Sequence, residues 1–369
     1  MTDMLPAWSG TRPWTDEDTD GDAGGLLVCK HVHSLTPNVR TFVLQPPQPR
    51  LFHHDPGQFL TLIVDIDGRP AERCYTISSP PTHPHAVAIT VKRVPGGLVS
   101  NWLHDHLRPG HTVRARGPLG DFTFARHPAA KYLFLSGGSG ATPAMAMAMA
   151  MTRTLYDLAH TTDVVFVHSA RTPGDILFRR ELDLIAATTP SIRVVHVCEE
   201  DGPTEPWAGH RGRLTVEMLQ QIAPDFRQRE IFTCGPAGYM AAVRRMLSTA
   251  GAAMDRYHEE SFTFEAPPSP ASMTDAEEAT EGRVFTVEFT RSRGTLTCDA
   301  GTSLLQAASR AGLSLPASCA QGMCGTCKTT LLAGSVDMRH NGGIRPREIA
   351  QNKILLCCAT PQENLVVDA

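Results

Sequence analysis

Four cysteines toward the C-terminal end constrain this chain more than any other feature. Cys319, Cys324 and Cys327 fall in the run SCAQGMCGTCKTT with the spacing C-x4-C-x2-C, and Cys357 follows thirty positions later in KILLCCATP. Thiolates are soft anionic ligands that suit iron–sulfide cores. A short loop carrying three of them, completed by a fourth from a distant strand, is the arrangement that encloses a [2Fe–2S] cluster. The small residues between them (Ala320, Gly322, Gly325, Thr326) let backbone amides approach the sulfurs and tune the potential. A zinc knot is the competing use, but zinc sites favour paired C-x2-C hooks and only one is present. Cys358, next to Cys357, is the alternative fourth ligand. Such a cluster accepts one electron at a time, so the rest of the chain should supply electrons. The other cysteines, Cys29, Cys74, Cys198, Cys234 and Cys298, have no disulfide rhythm.

A length of 369 residues predicts two to three domains. The net charge of −4 implies no polyanion-binding surface for the whole chain. No basic-then-apolar leader and no apolar run of bilayer length occur, and ten cysteines without an export signal predict a reducing cytoplasm. Residues 1–25 are polar and acidic and read as a loose tail, with Trp8 or Trp14 docked. Residues 26–126 hold short strands broken by Pro, Gly and His (VRTFVLQ, QFLTLIVDI, AVAITVKRV, HTVRARG) and one helix, LVSNWLHDHL, which predicts a small antiparallel β-barrel. From 127 to 263, YLFLSG, VVFVHSA, IRVVHVCEE and IFTCGP alternate with helical stretches, as in a parallel, doubly wound α/β sheet. The Ala-Met repeat at 144–151 reads as a helix packed against the core. Residues 264–283, rich in Pro, Ala, Ser and acids, read as a linker. Residues 284–369 form the cluster module, with two strands and then a helix capped by Thr302 or Ser303. The module carries eight lysines and arginines against six acids, a mildly basic unit on an acidic chain.

Two upstream features place the electron entry. In RCYTISSP, Arg73 and Tyr75 alternate onto one face of a strand. A guanidinium there can clamp a pyrophosphate, the tyrosine ring can stack on an isoalloxazine, and Thr76 can reach the flavin N5. In VKRVPGGLVSNWLHDHL, Gly97, Val99 and Ser100 open a helix whose free amides and dipole suit a diphosphate. GPLGDF, at 117–122, is expected as a turn on the adenine side. The nicotinamide site is SGGSGATP, residues 136–143, which follows an apolar strand and opens a helix. The Rossmann fingerprint itself is absent, yet the logic is shared: glycines let the backbone touch a diphosphate at a helix start. TCGPAGYM sets Cys234, Gly235 and Pro236 at the carboxyl edge of the same sheet. A thiol there can pack against a nicotinamide ring, although the same position also suits a plain buried strand residue.

The order RCYT, GGLVS, SGGSGATP, TCGPAGYM, followed by the four cysteines, resembles the ferredoxin–NADP reductase superfamily with a C-terminal plant-type ferredoxin, the layout of reductase components of multicomponent oxygenases. HSARTPGDILFRREL, YHEESF and GGIRPREI look similar to the reductases that serve glycine betaine monooxygenases. The resemblance implies a β-barrel flavin domain, an α/β nicotinamide domain and a β-grasp ferredoxin. It implies electron flow from NADH to FAD to the cluster and on to a Rieske-type oxygenase. It assigns Arg73, Tyr75, Thr76, Ser79, Lys92, Gly97, Val99 and Ser100 to the flavin. It assigns Gly137, Gly138, Ser139, Gly140, Thr142 and Pro143 to the nicotinamide diphosphate, and Ser169 and Arg171 to the ribose end. Cys234, Gly235, Pro236 and Glu260 fall at the hydride site, with Tyr75 and Thr76 on the flavin side of it, and Cys357 rather than Cys358 becomes the fourth cluster ligand. NADH is expected over NADPH, with Arg171 over the adenine. Similar reductases feed hybrid-cluster proteins or aryl-CoA oxygenases, so the acceptor is open. A redox-sensing regulator is the reading of another class, and no basic recognition helix supports it.

Overall fold

The computed structural model describes residues 14, 25–120, 122–138, 142–261, 283–313, 315, 322, 325, 327–340, 343–344 and 346–369. The chain divides into two compact units, one built mainly from residues before 264 and the other mainly from Phe264–Ala369.

The first unit begins with six strands: β1 (Gly25–Thr36), β2 (Val39–Gln45), β3 (Phe59–Ile66), β4 (Arg69–Thr76), β5 (Val87–Lys92) and β6 (Thr112–Leu119). They form one sheet in the order β4-β3-β6-β1-β2-β5. Ile77, just past β4, bridges to Ile89 on β5, and the Ser78 N–H donates to the Ala88 carbonyl at 2.7 Å. The two ends of the sheet therefore meet, which is how a small barrel removes its edges. Helix α1 (Leu98–His106) lies between β5 and β6 and seals the core with Val99 and Leu103. Trp14 docks on this barrel. Its ring stacks on Phe52 at 5.1 Å and its indole N–H donates to the Gly117 carbonyl at 3.2 Å. Trp8 lies outside the described residues. β6 runs on through Leu119, so residues 117–119 are strand where a turn was expected.

The same unit continues with β7 (Lys131–Gly137), α2 (Thr142–Asp157), β8 (Asp163–Ala170), α3 (Arg179–Thr188), β9 (Ile192–Cys198), β10 (His210–Arg211), α4 (Val216–Ile222), β11 (Glu230–Gly235), α5 (Ala237–Thr249) and β12 (Tyr257–Ser261). The strands pair in parallel in the order β10-β9-β8-β7-β11-β12. α2 and α3 cover one face, sharing a core with Phe134, Phe166 and Phe232, while α4 and α5 cover the other over Leu133, Val165 and Ile231. The Ala-Met repeat is buried all round: Ala146 through Met151 are at most 1% exposed. Val39 of the barrel joins the core that α2 makes with the sheet, so this helix needs apolar residues on more than one face.

The second unit holds β13 (Val284–Phe289), β14 (Gly294–Asp299), α6 (Leu304–Arg310), β15 (Lys328–Ala333), β16 (Val336–Met338), α7 (Pro346–Ile349), β17 (Lys353–Leu355), β18 (Ala359–Pro361) and β19 (Leu365–Val367). Its main sheet runs β14-β13-β19-β15-β17, with β16-β18 as a separate pair. Of the two cap candidates, Ser303 caps α6, its hydroxyl accepting from the Gln306 N–H at 3.3 Å. The segment read as a linker lies almost entirely outside the described residues.

Candidate functional site

Strand order decides where a ligand can sit. From β7 the chain winds outward through β8, β9 and β10, then returns to β11 on the other side of β7. The β7–β11 junction is therefore the topological switch point, where the carboxyl ends of the strands diverge and leave a crevice. SGGSGATP leaves β7 at this point and TCGPAGYM leaves β11 beside it. The two glycines at the strand ends are required by packing. A Cβ on Gly137 would stand 2.5 Å from the Tyr239 ring, and one on Gly235 would stand 2.7 Å from it. Gly138, at φ +93, takes a left-handed conformation and its N–H donates to the Ser169 carbonyl at 2.8 Å. Ser139 and Gly140 lie outside the described residues, while Thr142 and Pro143 open α2. Pro236 is exposed and precedes the first turn of α5.

Register brings together residues that lie far apart in the chain. Glu260, Cys234, Ser136, His168 and His196 pair in sequence across five adjacent strands, so all five point to one face. All are buried. Burial, and then the nearby Glu260 carboxylate, push the Cys234 thiol well above its ordinary range, so it stays protonated at neutral pH. It is a small neutral group at the crevice, not a thiolate nucleophile. Ser136 Oγ and His168 Nδ1 are 2.7 Å apart, which ties the ends of β7 and β8 beneath the glycine loop. Burial, and then His196, bring His168 down to about 3, so it is neutral in the folded chain.

That depression has a sign. The unfolded chain takes up the imidazole proton below about 6.5 and the folded chain does not, so this contribution to stability is full above that pH and fades as pH falls toward 3. A urea titration is expected to show stability falling by roughly 1.4 kcal/mol per pH unit from this group below about pH 6. His168→Asn, which keeps a partner for Ser136 but does not titrate, should flatten that slope by about one proton.

On the barrel, Arg73, Tyr75 and Thr76 follow one another along β4. Arg73 is exposed, its guanidinium donating to the Glu72 carbonyl at 2.8 Å, and Tyr75 is half-buried against the barrel core. The Thr76 hydroxyl is 1% exposed and has no hydrogen-bond partner among the described residues, an orphaned polar atom of the kind a bound polar ring edge would satisfy. Ser79 is engaged in the barrel itself, its Oγ accepting from the Ala88 N–H at 3.0 Å. Lys92 ends β5. Gly97 then starts α1, with Val99 and Ser100 in its first turn and no side-chain cap on the helix amides. These groups fit a flavin diphosphate.

Four arginines that follow β8 and β9 face carboxylates. Arg171 lies 3.4 Å from Glu200, Arg179 donates to Glu205 at 2.8 and 3.0 Å, Arg211 lies 2.5 Å from Asp201 and Arg213 lies 3.4 Å from Glu199. Ser169, half-buried, is the penultimate residue of β8.

In the second unit, Cys319 and Cys324 lie outside the described residues. Cys327 is 4% exposed and Cys357 half-buried just past β17. The Gly322 N–H donates to Cys357 Sγ at 3.1 Å, the amide-to-sulfur contact expected of a cluster ligand. Gly322 is held at φ +69, and a Cβ there would stand 2.7 Å from Cys358 Sγ. Cys358 instead points its Sγ toward the Leu355 carbonyl, at 3.7 Å. The donor set fits an iron–sulfur core.

The row Ser136–His168–His196 and the ring of Tyr239 were not singled out by sequence reasoning. The available signal was positional: Ser136 stands one residue and His168 two residues before the end of strands that finish in SG and HSA.

Comparison with known proteins agrees with this geometry. Residues 27–124 match the oxidoreductase FAD-binding domain, 134–245 the oxidoreductase NAD-binding domain and 287–362 the 2Fe-2S iron-sulfur cluster binding domain. The chain is 46% identical over 350 residues to the glycine betaine monooxygenase reductase subunit of Pseudomonas aeruginosa, covering 93% of this chain and 94% of the relative. It is 43% identical to the stachydrine N-demethylase reductase subunit of Rhizobium meliloti, covering 99% of each. The solved structure of phthalate dioxygenase reductase shares the fold, with a TM-score of 0.56 at 23% identity over 95% of this chain and 99% of that one. The chain belongs to the family of FAD-, NAD- and [2Fe–2S]-binding oxidoreductases that includes the glycine betaine monooxygenase reductase subunits.

Proposed function

We propose that this reductase supplies electrons to a Rieske-type oxygenase that acts on a small quaternary amine. The observation that carries the reading is near-full-length identity of 43–46% to reductase subunits named for glycine betaine monooxygenase and stachydrine N-demethylase. When bound, the flavin turns a two-electron donor into single electrons for the cluster.

The chain's own residues perform binding, orientation and exclusion of water. Arg73, Gly97, Val99, Ser100 and Lys92 hold the flavin phosphates, Tyr75 covers the ring and the buried Thr76 hydroxyl meets its polar edge, with Ser79 bracing the strand end. The loop from Gly137 through Pro143, including Ser139 and Gly140, receives the nicotinamide diphosphate on the first turn of α2. Cys234, Gly235, Pro236 and Glu260 border the hydride site, the neutral thiol packing there without adding charge. Cys319, Cys324, Cys327 and Cys357 hold the cluster.

NADH is the donor on this reading. A 2′-phosphate beside Ser169 and Arg171 would meet Glu200, and each neighbouring arginine with a carboxylate partner is already neutralised. Glu200→Ala is expected to raise kcat/KM for NADPH about 5-fold while changing that for NADH less than about 2-fold. Unchanged selectivity would remove Glu200 as the discriminating group.

The direct test of the acceptor is reconstitution with a Rieske-type oxygenase that demethylates glycine betaine or stachydrine, following NADH consumption against formaldehyde release. Tight coupling that weakens with added salt is expected, since the cluster module is mildly basic and would be steered to an acidic partner face. NADH oxidation with no product would send the search to oxygenases of other substrates.

A further inference from the structure

We infer that His127, Glu230 and His258 form a binding site for a zinc-class divalent cation, separate from the redox path. The three side chains come from different elements: His127 from the connection between the barrel and β7, Glu230 from the start of β11 and His258 from β12. Their ligand atoms all lie within 4.8 Å of one another and all three residues are half-buried. Glu230 and Cys234 lie on the same strand four residues apart, which puts the cluster about 13 Å from the hydride site, at the opposite end of the sheet.

The local structure prepares these groups to ligate. His258 Nε2 and Glu230 Oε1 are 2.6 Å apart, already aimed at each other. The His127 ring lies against the His258 ring, with centroids 3.7 Å apart, and its nitrogens have no hydrogen-bond partner among the described residues. Its backbone is fixed in place: Tyr132 Oη donates to the His127 carbonyl at 2.9 Å and accepts from the Ala129 N–H at 2.8 Å. Phe232 walls one side, with its ring centroid 4.8 Å from that of His258 and 5.9 Å from that of His127.

Two imidazoles and one carboxylate select a borderline d-block dication over magnesium or calcium, which prefer oxygen donors. In a tetrahedral zinc site the ligand atoms stand about 3.4 Å apart. Reaching that spacing requires His127 to turn out of its stack on His258, so that both ring planes contain the metal, and the His258–Glu230 pair to open slightly. The metal would take the place of the proton shared by His258 and Glu230. Bound there, it would clip the barrel-to-sheet connection onto β11 and β12, three elements that no covalent link joins locally.

Isothermal calorimetry of the purified holoprotein with zinc sulfate tests this, since in the holoprotein the cluster cysteines are occupied by iron. One zinc per chain is expected. His127→Phe preserves the ring stack and removes the ligand, and Glu230→Gln removes the carboxylate. Each should weaken zinc binding at least about 10-fold, and zinc should raise the melting temperature of the wild type but not of His127→Phe. NADH–ferricyanide activity without zinc should match wild type in His127→Phe, which reports an intact fold. Absence of a stoichiometric zinc site in the wild type, or equal zinc uptake and melting shifts in wild type and His127→Phe, would overturn the proposal and leave a His–Glu ion pair under a stacked imidazole.

Discussion

Cys357→Ala is expected to abolish the [2Fe–2S] signal, while Cys358→Ala retains it. The two cysteines are adjacent, yet their sulfurs face different surroundings. Cys357 Sγ accepts the Gly322 N–H at 3.1 Å from within the loop that carries the other ligands, whereas Cys358 Sγ points toward the Leu355 carbonyl. Loss of one thiolate from a four-cysteine set removes the cluster rather than weakening it. NADH-dependent cytochrome c reduction should then fall more than about 100-fold in Cys357→Ala, because the one-electron outlet is gone. NADH–ferricyanide activity, which draws on the flavin, should remain near wild type. Iron content and EPR of the two variants separate the outcomes, and a cluster retained in Cys357→Ala but lost in Cys358→Ala would reverse the assignment.

The second large effect belongs to Cys234. Its thiol is 1% exposed, stands at the switch point of the parallel sheet and pairs in register with Glu260. Burial and the Glu260 charge keep it protonated, so at the proposed hydride site it would contribute shape and a neutral surface for the donor ring. Cys234→Ala removes the sulfur and leaves a gap at the hydride site. Displacements of about 1 Å in a hydride-transfer geometry cost up to about 100-fold in rate. Stopped-flow flavin reduction by NADH is therefore expected to slow between about 10- and 100-fold, with FAD content unchanged and the NADH dissociation constant moving less than about 3-fold. A purely structural role would instead lower FAD content or stability and leave the rate constant of the folded fraction intact.

Much of this was legible in the sequence because the signals were local. Strand–helix alternation from 131 to 263 gives a parallel sheet, and broken short strands before it give a barrel. The Ala-Met repeat reads as core, and Ala146 through Met151 are buried. The glycine loop and TCGP were placed at strand ends, where they are found. Strand order was not legible, and with it went everything that depends on register. Ser136, His168 and His196 are separated by about thirty residues at each step, and only the order β9-β8-β7 makes them neighbours. His127, Glu230 and His258 come from separated stretches and meet for the same reason, through the β11–β12 pairing. The pairing of Arg171 and Arg179 with carboxylates was also invisible, since Glu200 and Glu205 follow a different strand. Ser79 lies just past β4, in a segment whose resemblance marks it as flavin-facing, yet its hydroxyl is bonded to the barrel backbone.

A hydride donor and a one-electron outlet are joined through one polypeptide. Anaerobic titration of the purified protein with NADH, followed by visible absorbance and low-temperature EPR, tests it most directly. The account predicts bleaching of the flavin bands together with the rhombic signal of a reduced [2Fe–2S] centre, complete at a NADH stoichiometry that fills both centres. A flavin that bleaches while the cluster stays oxidised, under conditions where dithionite does reduce it, would contradict it.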